Sequence, residues 1–171
     1  VSSEHQALLE EVYACAVCDA SACGFTKAPS GGFFKFPPRI GASDPTILFV
    51  GLNPRRSSTN LELHDEVMES PHSFGKMARD RVGTGWYISA GKEAHYGYHC
   101  GIVAHAFPVV AFRKVAAVTE LYFCASPDAD GLVLSASACA DLYFPRVLGA
   151  LRPRVVVPMG KSVGAYLRSR Y

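Results

Sequence analysis

The stretch Thr46–Asn60, TILFVGLNPRRSSTN, restricts the possible folds of this chain more than any other. Ile47-Leu48-Phe49-Val50 is an unbroken apolar run, which reads as a strand of a parallel sheet covered on both faces. The run stops at Gly51, turns through Asn53-Pro54 and delivers Arg55, Arg56, Ser57, Ser58, Thr59 and Asn60 as a polar loop. In open α/β sheets, ligands bind beyond the carboxyl ends of the strands. Asn53 is therefore expected at the rim of a cleft, with cationic and hydroxyl groups behind it. The plainer alternative is an ordinary strand-end turn, which uses Gly, Asn and Pro anyway.

The remaining elements fit around such a strand. Glu4–Ala14 has helical periodicity and leads into Cys15-Ala-Val-Cys18. Residues 19–45 read as a long irregular loop rich in Gly, Pro and Ser, anchored by Phe33, Phe34 and Phe36. Short helices are predicted over Leu61–Glu69 and from Ser70-Pro71 to about Arg81, the second with Ser70 as cap. Val115–Phe123 is a second predicted strand, ending at Cys124. A helix follows from Ser135 or Ser137 to about Leu151, which Pro145 is expected to bend or interrupt. Arg154–Val157 is a third strand, and Ser162–Arg168 a last helix. Strands alternating with helices predict a three-layer α/β/α fold with a short central parallel sheet. No linker or internal repeat divides the chain, so a single domain over residues 1–171 is expected.

Composition excludes several classes. With 49% hydrophobic and 19% charged residues the chain is globular. A net charge of +2 gives no global basic field, so nucleic-acid contacts would have to come from local clusters such as Arg55-Arg56 and Lys76/Arg79/Arg81. No apolar stretch approaches the ~20 residues that span a bilayer, and no signal-peptide core is present, so a cytoplasmic protein is the default; a monomer is expected. The sequence begins at Val1 and is read as trimmed.

Chemistry concentrates in the cysteines. Cys15-x₂-Cys18 alone fits zinc, redox work or coincidence. Cys124 at a strand end and Cys139 in the first turn of the next helix bring the set to four thiols, which suits zinc or an iron–sulfur cluster. Cys23 and Cys100 are left as core or surface thiols, and His95-x₃-His99-Cys100 is a weaker metal candidate. Gly160-Lys161-Ser162 follows an apolar strand, but a P-loop needs glycine where Val155 stands. The turn still opens a helix, whose free amides could hold one backbone phosphate through Lys161 and Ser162.

In this order, these residues resemble the uracil-DNA glycosylase superfamily, closest to its iron–sulfur-containing bacterial and archaeal branch. The resemblance is carried by Cys15-x₂-Cys18, by Val50-Gly51-Leu52-Asn53-Pro54, by Val118–Cys124 followed after fourteen residues by Cys139, and by Leu151–Ser162. It implies a DNA-repair glycosylase that hydrolyses the N-glycosidic bond of a flipped, damaged or deaminated base such as uracil. Cys15, Cys18, Cys124 and Cys139 would hold a structural [4Fe–4S] cluster, with zinc as the alternative. Asn53 would position the attacking water, Gly51 and Leu52 would offer backbone amides to a base carbonyl, and Phe74 would stack on the base. Arg55, Arg56, Lys161 and Ser162 would meet the DNA backbone.

Two positions depart from the pattern. The family's base-reading Asn is Glu120 here; an ionised carboxylate only accepts hydrogen bonds, so reading uracil requires Glu120 to be protonated by burial. The family's fourth strand and His-Pro-Ser loop find no counterpart before Tyr171, and no histidine follows His105. The expectation is a truncated sequence, or a function lost or relocated. Two other readings stand beside the glycosylase: a non-catalytic nucleic-acid-binding iron–sulfur protein on the same scaffold, and a zinc-stabilised α/β domain with a small-molecule cleft.

Overall fold

The apolar run at Ile47 lies between two other strands and is buried along its whole length. The computed structural model describes residues 3–18, 23–28, 33, 35, 38–53, 101–103, 105–106, 112–126 and 138–171. In chain order the elements are α1 (Ser3–Ala14), β1 (Ile40–Gly41), β2 (Ile47–Gly51), α2 (Phe112–Val115), β3 (Ala116–Glu120), α3 (Cys139–Leu151), β4 (Val155–Pro158) and α4 (Lys161–Arg170). The predicted helices over 61–69 and 70–81 lie outside the described residues.

The sheet order is β1-β3-β2-β4. β3, β2 and β4 are parallel, with Ile47 opposite both Ala116 and Val155, and Gly51 opposite Glu120. The two-residue β1 adds an antiparallel edge on β3. Side chains alternate between the faces, as strand geometry requires. Leu48, Val50 and Ala117 join Leu8 and Val12 of α1, Phe144, Val147 and Leu151 of α3, and Val163 of α4 in one core. Ile47, Phe49, Ala116 and Val118 pack on the other face against Val103, whose helical segment covers them. This is the expected α/β architecture with a short central parallel sheet.

Several boundaries differ from the sequence reading. β3 stops at Glu120, three residues before the predicted end at Phe123, and Val115 belongs to the helical turn before it. Leu121 and Tyr122 still donate to Gly51 O and Leu52 O, both at 3.0 Å, while the chain leaves the ladder. Cys124 is therefore placed by an antiparallel bridge to Lys35, not by a strand end. α3 begins at Cys139, later than predicted, and runs unbroken through Pro145. Pro145 is exposed while Phe144 and Val147 beside it are buried, so packing holds the helix across the missing donor. It ends at Arg152, whose left-handed φ of 45° lets its N–H reach Leu148 O at 2.8 Å. β4 and α4 lie within a few residues of their predicted positions.

Candidate functional site

The ends of β2 and β3 meet where parallel sheets place their ligands. Counting by twos from Ile47 and from Ala116, Gly51 and Glu120 fall on the same face of the sheet. The Glu120 carboxyl lies directly on Gly51: a Cβ built there would overlap its carboxyl group. Only glycine leaves room for this approach. Glu120 is 6% exposed, and its Oε2 has no hydrogen-bond partner among the described residues. Burial raises its pKa from 4.5 to about 8, so the group is mostly protonated at neutral pH.

Asn53 stands two residues beyond β2, half-buried, and its Nδ2 donates to Ser126 Oγ at 2.7 Å. This bond spans 73 residues and fixes the turn after β2 to the segment after β3. Leu52, also half-buried, is held through its carbonyl by Tyr122 N–H. At the third parallel strand, Gly160 takes a φ of 101° and opens α4, leaving Lys161 and Ser162 exposed in its first turn. Arg55, Arg56, Phe74, His95, His99 and Cys100 lie outside the described residues.

The four cysteines share one neighbourhood on the α1–α3 side of the sheet. Cys124 and Cys139 are buried, and Cys15 and Cys18 pack against the same core. Phe123 N–H points at Cys139 Sγ, 3.4 Å away, as a donor suited to a thiolate. Burial pushes the Cys139 thiol up to about 12, with a backbone hydrogen bond from Phe123 opposing and Cys18 and Cys15 adding to the rise. Burial also raises Cys124, with Cys139, Cys18 and Cys15 reinforcing it and Lys35 acting against it. Tyr143 is raised by burial and by a hydrogen bond with Cys15. Buried thiols of this kind ionise only when a metal takes the proton's place. Among the described residues, no three His, Cys, Asp or Glu side chains converge tightly enough for a single metal ion. A four-sulfur zinc tetrahedron, with Zn–S near 2.3 Å, would need the sulfurs about 3.8 Å apart. A [4Fe–4S] cluster would instead take one thiolate on each of its four irons.

Sequence reading missed three residues here. Lys35 is 7% exposed, with Nζ donating to Tyr13 O and Cys15 O, each at 2.6 Å. Ser126 is buried beneath Asn53, and Tyr143 sits beside Cys15. A lone lysine inside Phe33-Phe34-Lys35-Phe36 was the one available signal; nothing in the sequence singles out Ser126.

No family model matches the chain, and no curated protein matches it.

Proposed function

We propose that this chain is a DNA-repair glycosylase of the uracil-DNA glycosylase type, hydrolysing the N-glycosidic bond of a flipped deaminated or damaged base. The observation that carries this reading is the buried Glu120 carboxyl lying on Gly51, its Oε2 without a hydrogen bond among the described residues, close to the Asn53 turn. A neutral carboxyl both donates and accepts. It can accept from a ring N–H and donate to the adjacent carbonyl, the pair that uracil presents on one edge. The substitution of Glu for the family's Asn is then compatible with reading a lactam.

A glycosylase draws the nucleotide out of the stack and encloses the base, at a cost of a few kcal/mol. The Nδ2 bond to Ser126 Oγ fixes the Asn53 side chain after β2, where it would position a water against the sugar carbon. Backbone amides near Gly51-Leu52 would stabilise the departing base anion. Lys161 and Ser162, at the start of α4, would meet a DNA phosphate. By resemblance, Phe74 would stack on the base and Arg55 and Arg56 would contact the backbone.

Cys15, Cys18, Cys124 and Cys139 would hold a [4Fe–4S] cluster that ties α1, the segment after β3 and the start of α3 into one unit. It supplies cohesion, and no chemical step runs through it.

The test is a cleavage assay on oligonucleotides carrying uracil, hypoxanthine or xanthine, using protein analysed for iron and acid-labile sulfide. Cleavage of at least one lesion is expected, with Asn53→Ala slower by about 100-fold or more. Unchanged activity in Asn53→Ala would remove Asn53 from its role. Iron-loaded protein that binds these oligonucleotides but cleaves none of them would favour the non-catalytic reading, and zinc in place of iron would sink the cluster.

A further inference from the structure

A lysine enclosed in protein needs acceptors for its protons and an anion for its charge. Lys35 has the acceptors: its Nζ reaches back 22 and 20 residues to the carbonyls of Tyr13 and Cys15. Tyr13 returns a bond from its hydroxyl to Lys35 O at 3.3 Å. The backbone of Lys35 pairs with Cys124 in an isolated bridge. One residue thus fastens the end of α1, which delivers Cys15 and Cys18, to the segment that delivers Cys124. Among the described residues, the anion-forming groups acting on the ammonium are Cys124, Cys15, Cys139 and Cys18.

We infer that Lys35 is a positioning residue and counter-ion for the cysteine quartet: its buried ammonium offsets the negative charge of a thiolate-ligated metal group and clasps the Cys15 turn to Cys124. This rests on the cluster reading given above. As ligands to a [4Fe–4S] core, four thiolates leave the whole unit with a net negative charge, and a fixed cation beside it meets that charge.

The charge and the clasp can be separated. Lys35→Met removes both, Lys35→Gln keeps hydrogen-bond donors without charge, and Lys35→Arg keeps both. Iron and sulfide content and the midpoint potential of the cluster are measured on each full-length protein. Lys35→Met is expected to carry less than half the wild-type iron. Lys35→Gln should keep most of its iron, with a midpoint shifted to more negative potential, because reduction adds an electron next to a lost cation. Lys35→Arg should restore both quantities towards wild type. A loaded Lys35→Gln with an unchanged midpoint overturns the counter-ion role, and full iron in Lys35→Met overturns the clasp. Wild-type protein without iron and sulfide is a separate result: it overturns the cluster reading and this inference together.

Discussion

Glu120 keeps its proton because burial strips an ionised carboxylate of the solvation it needs. Unfolded, the same group has its ordinary pKa of 4.5; folded, about 8. Between those values the folded chain holds a proton that the unfolded chain has released. The contribution of this group to stability is therefore greatest below pH 4.5 and declines as pH rises towards about 8, by at most ~1.4 kcal/mol per pH unit. Urea midpoints from pH 5 to pH 9 should fall for wild type and flatten in Glu120→Gln, which carries no titrating proton. The amide also retains a donor and an acceptor, so under the proposed function base excision by Glu120→Gln is expected to persist above pH 8, where the wild-type donor is lost. A wild-type stability curve that rises over this range would contradict a neutral Glu120.

At the scale of elements, α3 is the clearest case of packing overriding local preference. Pro145 gives no N–H to Asp141 O and stands exposed, yet the helix continues to Leu151. Asp141 is engaged elsewhere through its side chain, accepting from Tyr166 Oη at 2.8 Å and Arg170 at 3.1 Å and so joining α4 to α3. Pro145→Ala restores the missing bond and opens no cavity, so it should raise the urea midpoint, by up to about 3 kcal/mol of stability. β2 was legible because four successive buried apolar residues at a strand length leave few alternatives. The end of β3 was not legible: Leu121, Tyr122, Phe123 and Cys124 remain apolar and buried after the ladder stops, and burial alone does not distinguish strand from extended chain. Asn53 could be read from its place after the first strand, and Glu120 only through the family resemblance. Lys35 was marked only by its apolar neighbours in sequence, because the carbonyls that receive its Nζ lie 22 and 20 residues away.

On the scale of the whole molecule, no helix among the described residues is long and apolar enough to cross a membrane. The described sheet has unequal margins. β1 covers one side of β3, whereas β4 ends the order on the other side with Val155 49% exposed. Val155 and Met159 donate inward to Thr46 O and Val50 O, so by alternation Val156 and Pro158 face outward. An exposed apolar margin is a template on which foreign strands assemble, and proline there withholds a donor. Pro158→Val would return that donor on a residue that favours extended chain. Light scattering and gel filtration should show stronger concentration-dependent self-association for Pro158→Val than for wild type. Equal behaviour of the two would mean that something else guards this border. As it stands, an intruding backbone finds one of its rungs absent, and a ring where no bond can form is a modest safeguard against fibrous growth.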